Sequence, residues 1–213
     1  MSDRGTEMSK SLTVIIGLAG LAIVAVILLV GPGPQKTSVT SGGKALIGGH
    51  FSLVDHTGKW VSEKDYLGKY MLVYFGYTYC PEICPTSLQS ISVAMDLLGK
   101  QADDVTPLFI TVDPERDNVE QLAEYVSNFH KRTVGLTGTT EELRSVNKAY
   151  RVYTKKVVSE GAVDFDHSSI TFLMDRDGKY LAHFAYGVQG DVIAKKIRSL
   201  YKPLVLQKIS SAE

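Results

Sequence analysis

Cys80 and Cys84 are the only cysteines in the 213-residue chain, and three residues separate them. Cysteines this close form a redox pair, hold a metal, or do both. Two buried structural thiols would be the bland alternative, but Pro81 and Pro85 follow the cysteines and tie them to a shaped loop. Spacing by two residues is the usual redox motif near a βαβ unit. The longer loop here still closes a disulfide if it curls its Cβ atoms to within about 4.5 Å. It also offers two sulfurs to one ion, and two thiolates make a soft site that favours Cu(I). Zinc usually takes four ligands, and the chain has no second cysteine pair. The residues alone leave metal binding and thiol redox chemistry equally open.

The neighbours of this pair sharpen the question. Proline suits the first position of a helix, so Pro85 predicts that Cys84 is the N-cap. Exposed N–H groups and the helix dipole would favour a thiolate there. Both prolines also bias the residue before them toward extended backbone. Third-ligand candidates are His50, His56, His130, His167 and His183. His50 borders a linker, His56 sits in a predicted turn, His183 lies mid-strand, and His130 ends a predicted helix. His167 differs, standing in Asp164-Phe165-Asp166-His167-Ser168-Ser169 at a loop-to-strand junction. Asp164 or Asp166 would orient its ring from behind. Spacing alone does not carry it to the cysteines. Asp113 and Asp117, in Asp113-Pro114-Glu115-Arg116-Asp117, read first as a turn into a helix and second as supporting carboxylates or a docking surface. Tyr77 and Tyr79 either shield the cysteines, meet a partner, or are ordinary half-buried aromatics.

These residues need a scaffold. Tyr70–Phe75 is a continuous apolar run that predicts a buried central strand. Thr86–Lys100 carries Leu88, Ile91, Met95 and Leu98 at helical spacing. Val105–Val112 is a second buried strand, Asn118–Phe129 a second helix, and Thr139-x-x-Glu142 a capping box opening a third to about Tyr150. Phe51–Val54 with Trp60–Ser62, and Ile170–Met174 with Tyr180–Tyr186, predict two hairpins. Asp191 would cap a last helix to about Tyr201. This order predicts a mixed α/β sheet with helices on both faces. Sites in such sheets gather at the carboxyl ends of parallel strands, where the cysteine loop falls.

Leu12–Val30 is a run of 19 residues without a charge. As a helix it would span roughly 28 Å, close to the hydrocarbon thickness of a bilayer. A signal peptide's apolar core is usually shorter, about 7 to 15 residues. The expectation is therefore an uncleaved transmembrane anchor at 12–30 behind a tail at 1–11, with a cleaved signal as the alternative. Residues 31–49 are rich in Gly, Pro, Ser and Thr and read as a flexible linker. The folded domain is expected at 50–203 and a frayed tail at 204–213. Asp3 and Glu7 argue against a mitochondrial transit peptide. The thiol pair suits an oxidising compartment, which favours a bacterial inner membrane with the domain in the periplasm. With 23 basic and 23 acidic residues, formal net charge is zero, which gives no electrostatic footprint for nucleic acid.

Three segments together resemble the Sco/SenC family of copper proteins: YFGYTYCPEICPTSL, FITVDPERD and VDFDHSSITFLMDRDGKYL. The resemblance covers roughly residues 45 to 203. It implies a thioredoxin-like mixed sheet and gives the copper-ligand role to Cys80, Cys84 and His167, for Cu(I) or Cu(II). It also implies service to the dicopper (CuA) centre of cytochrome c oxidase subunit II, by copper delivery or by reduction of its cysteines, with a possible upstream copper donor protein. Rival readings are a thiol–disulfide oxidoreductase using Cys80 and Cys84, a peroxidase-like relative, and a redox or copper sensor.

Overall fold

The computed structural model describes residues 40–41, 47–159 and 162–201. Strand β1 (Thr40–Ser41) is followed by β2 (Ser52–Asp55) and β3 (Trp60–Ser62), a hairpin as the sequence predicts. Next come β4 (Tyr70–Gly76), helix α1 (Ile83–Leu98), β5 (Val105–Thr111), α2 (Val119–Ser127), β6 (Val134–Thr137) and α3 (Thr140–Ala149). The last elements are β7 (Thr154–Ser159), β8 (Ala162–His167), β9 (Ile170–Met174), β10 (Tyr180–Ala185) and α4 (Gly190–Leu200).

Eight strands form one mixed sheet in the order β1-β10-β9-β4-β5-β6-β2-β3. β4, β5 and β6 run parallel, and β9 lies antiparallel beside β4. All seven residues of β4 are buried, which accounts for its unbroken apolar run: a strand covered on both faces has no polar side to show. α2 packs on β6, where Leu122 and Val126 approach Gly135, and α1 packs on α4, where Ser90 and Val93 approach Gly190. The predicted mixed sheet with flanking helices is thus present.

Helix ends follow local chemistry. Asn118 accepts from the Gln121 N–H at 2.8 Å to open α2. Thr139 and Glu142 form the expected capping box. α1 stops at Gly99, whose φ of 58° suits glycine. Two expectations shift. α1 starts at Ile83, with Glu82 as its N-cap, so Cys84 lies inside the first turn and is not the cap. Pro85 is tolerated there because a first-turn N–H has no intrahelical partner to lose. Gln189 is the N-cap of α4, and Asp191 sits in its first turn instead, where its charge still favours the helix dipole.

β6 and the β7–β8 hairpin were not legible in the sequence. β7 and β8 pair only with each other, outside the main sheet. No helix among the described residues is long and apolar enough to cross a membrane; the expected anchor at 12–30 and the tail at 204–213 lie outside those residues.

Candidate metal centre

The cysteine loop leaves the buried end of β4 and enters α1. The Cys80 N–H donates to the Tyr77 carbonyl at 3.2 Å, closing a turn. The Cys84 N–H, free at the start of α1, donates to Cys80 Sγ at 3.4 Å. Asp117 pins the loop from below. Its carboxylate accepts from the Thr78 N–H at 3.0 Å and the Thr78 hydroxyl at 2.7 Å. It also accepts from the Thr111 hydroxyl at 2.6 Å, on β5.

His167 closes β8 and turns over the cysteines. Its Nε2 lies 3.5 Å from Cys84 Sγ. The rings of Tyr74 and Tyr77 meet it edge-on, with centroids at 6.3 and 5.9 Å. Cys80 and Cys84 are not joined in a disulfide. One atom from each of Cys80, Cys84 and His167 lies within 4.8 Å of the others, the one such group among the described residues. Sulfur and nitrogen bonds as long as those zinc makes, about 2.3 and 2.0 Å, would hold trigonal ligand atoms about 4 Å apart. The three side chains therefore fit one soft ion. Above them opens a cavity of about 280 Å³, whose lining includes Tyr77, Cys80, Ile83, Phe165 and His167.

The two thiols are unequal. Cys80 is held well below the usual thiol value because Cys84 donates its S–H toward it, aided by His167 and by the Cys84 and Glu82 N–H groups, against burial. Cys84 is pushed up by that same hydrogen bond, by burial and by the charge on Cys80. The sequence placed the thiolate at Cys84 through an N-cap role; the structure reverses it. One residue into the helix, Cys84 gives its N–H to the other sulfur.

Other predicted residues divide clearly. Asp166 is exposed and makes no hydrogen bond to the ring of His167; the near neighbour of Nδ1 is the Ser168 carbonyl, at 3.4 Å. Asp164 accepts instead from the Tyr77 hydroxyl and the Phe165 N–H. Tyr77 is buried with its ring against His167, whereas Tyr79 is 55% exposed. Asp113 and Asp117 lie 1% and 0% exposed, making the turn also a buried support. Asp113 pairs with Arg116. His56 accepts from the Gly135 N–H, His50 meets Glu63, His183 meets Tyr180, and His130 lies 4.0 Å from Asp96, so these four serve other places. Sequence reasoning missed Thr78, Phe165 and Arg116; for Arg116 the one hint is its place between two aspartates.

A model of the SCO1/SenC family matches residues 39–202. The chain belongs to that family. The human mitochondrial protein SCO1 homolog is 42% identical over 165 residues, covering 76% of this chain and 55% of that protein. This SCO1/SenC chain thus spans little more than half the length of that curated relative. The structure of Bradyrhizobium japonicum ScoI with copper bound is 42% identical, with a TM-score of 0.68 over 72% of this chain and 98% of that one. BsSco, a member of the Sco family of cytochrome c oxidase assembly proteins in which a disulfide switch was identified, is 26% identical, with a TM-score of 0.61. It covers 75% of this chain and 96% of its own.

Proposed function

We propose that this protein binds copper through Cys80, Cys84 and His167 and serves the assembly of cytochrome c oxidase. The convergence of two sulfurs and an imidazole nitrogen within 4.8 Å carries the reading. A copper-bound ScoI at 42% identity supports the metal, and the description of BsSco supports the process. The finer proposal is delivery to the dicopper centre of oxidase subunit II, from an upstream copper donor. Residues 12–30 would tether the domain to a bacterial inner membrane, facing the periplasm.

Copper here is cargo. Three protein ligands leave one side open to the cavity, so a thiolate of the receiving protein can begin ligand exchange there. Cys80 supplies a ready thiolate, Cys84 gives up its proton on binding, and the edges of Tyr74 and Tyr77 fix the imidazole. Oxidation of both thiolates to a disulfide, with two electrons passing to an acceptor, would remove both sulfur donors and release the metal.

A copper titration of the full chain with His167→Ala and Cys84→Ser variants tests this reading. Wild type should bind one Cu(I) with sulfur and imidazole scattering in X-ray absorption, and each variant should bind at least tenfold more weakly. Unchanged affinity in both variants would defeat it.

The asymmetry of the thiols favours a second reading, thiol–disulfide exchange. The Cys80 thiolate attacks a partner disulfide, forming a mixed disulfide and releasing one partner thiolate. Cys84, deprotonated, then attacks the Cys80 sulfur and releases the other. Rapid reduction of an oxidised subunit II peptide by metal-free protein would support it.

A further inference from the structure

The β7–β8 hairpin carries a ligand yet is hydrogen-bonded to no strand of the main sheet. Something else must hold it at the right height above the cysteines. The Ser168 N–H gives a hydrogen bond to the Tyr153 carbonyl at 3.0 Å, which ties the base of the hairpin to itself. Apart from the contacts of His167 itself, the hairpin is tied to the rest of the domain by Tyr77, which meets Asp164 and the Phe165 ring, by the exposed Lys156–Glu115 pair, and by Arg116.

Arg116 is the one that joins three parts at once. Its Nε pairs with Asp113, which is buried to 1% exposure and cannot swing away. Its Nη1 donates to the Val163 carbonyl on β8 at 3.1 Å. Its flat face lies over Tyr79, 4.7 Å from the ring centroid, and beside Tyr77 at 5.8 Å, both in the cysteine loop. A planar guanidinium can use two edges and a face together; an ammonium cannot. Val163 precedes His167 by four residues of one strand, so fixing the first sets the line along which the second approaches.

We propose that Arg116 is a positioning residue that sets His167 over the cysteine pair and so tunes copper affinity. It touches neither copper nor its ligands. The inference rests on the copper reading above.

A double-mutant cycle between Arg116→Lys and His167→Ala separates this role from general support. Lysine keeps a cation beside Asp113, so the fold should survive with a native circular dichroism spectrum. In the otherwise wild-type chain, Arg116→Lys should weaken Cu(I) binding about tenfold in a chelator competition. It should also diminish the imidazole nitrogen signal of the Cu(II) form in electron paramagnetic resonance. In the His167→Ala background the same substitution should cost less than twofold. Tyr79→Ala, which removes only the exposed stacking face, should shift affinity the same way by about threefold and guards against a misfolded first variant. Wild-type affinity and nitrogen signal in Arg116→Lys would overturn the proposal. So would an equal loss in both backgrounds, the mark of a merely structural arginine. If His167→Ala itself leaves affinity unchanged, the ligand assignment fails first, and that outcome is distinct from the other two.

Discussion

Cys84 Sγ and His167 Nε2 lie 3.5 Å apart across 83 residues of chain. The sulfur sits in the first turn of α1 and the nitrogen at the end of an outlying hairpin, so the pair exists only in the folded state. Because a metal site built from distant elements is assembled by folding, the free energy of metal binding also stabilises the fold.

Proton accounting gives the first prediction. Cys80 is held low by the thiol of Cys84 and by the imidazole, and Cys84 is pushed up by Cys80 and by burial. Across neutral pH, then, Cys80 already lacks its proton and Cys84 still has one. Two-sulfur ligation must expel that single proton, so rising pH favours binding. Between pH 7 and 8.5 the apparent Kd for Cu(I) should fall about tenfold per pH unit. Calorimetry in buffers of differing ionisation enthalpy should read about one proton released. A pH-independent Kd would refute the assignment of protons.

Selective alkylation follows from the same asymmetry. Cys80 is 9% exposed and lines the cavity, while Cys84 is fully buried and protonated. The thiolate is the nucleophile. Iodoacetamide at pH 6.5 should modify Cys80 at least tenfold faster, at a rate nearly flat from pH 6 to 8. Peptide mapping that finds Cys84 labelled first would reverse the roles assigned to the two thiols.

Asp117 supplies a stability test. It accepts three hydrogen bonds, two from Thr78 and one from Thr111, at 0% exposure. Burial pushes its pKa up, and the Thr111 and Thr78 donors oppose that push. Asp117→Ala would strand the Thr78 N–H and two hydroxyls, at a cost of roughly 2–4 kcal/mol. Urea unfolding of the metal-free protein should show that loss. Copper affinity should also fall, since the loop before Cys80 loses its tie to β5. A change in stability under 0.5 kcal/mol, smaller than the roughly 1 kcal/mol of one ordinary hydrogen bond, would show that the loop holds itself.

What the sequence reveals here is mostly local. The apolar run of β4, the Thr139–Glu142 box, the two predicted hairpins and the cysteine loop all depend on residues within a few positions of one another. The hairpin that presents His167 was hidden for a physical reason. Lying outside the main sheet, β7 has Lys155 and Lys156 exposed and no buried alternation to betray it. Aspartate and proline suit turns, so Asp113 and Asp117 read locally as a turn; nothing local reveals that both are buried or that Asp117 ties down a distant loop. Arg116 escaped because its partners at Val163, Tyr77 and Tyr79 are brought together only by the fold. The start of α1 moved because Pro85 fits any position of a first turn.

Gly76, the last residue of β4, yields a steric prediction at the site itself. A Cβ there would come within 2.7 Å of Cys84 Sγ, 2.9 Å of Phe109 Cε2 and 3.1 Å of Tyr74 Cε1. None of these can retreat easily, since Cys84, Phe109 and Tyr74 are all fully buried. Close-packed interiors answer an added methyl by shifting side chains, at a typical cost of about 1–3 kcal/mol. The softest of the three contacts is the sulfur, so Gly76→Ala should push Cys84 away from His167 and spoil the ligand geometry as well as the packing. The expected result is a lower urea midpoint for the metal-free protein and Cu(I) binding at least tenfold weaker. Weak binding with full stability would mean that the sulfur yields freely. Unchanged binding together with unchanged stability would show that the end of β4 does not press on Cys84 and that the ligand sulfur is held from elsewhere.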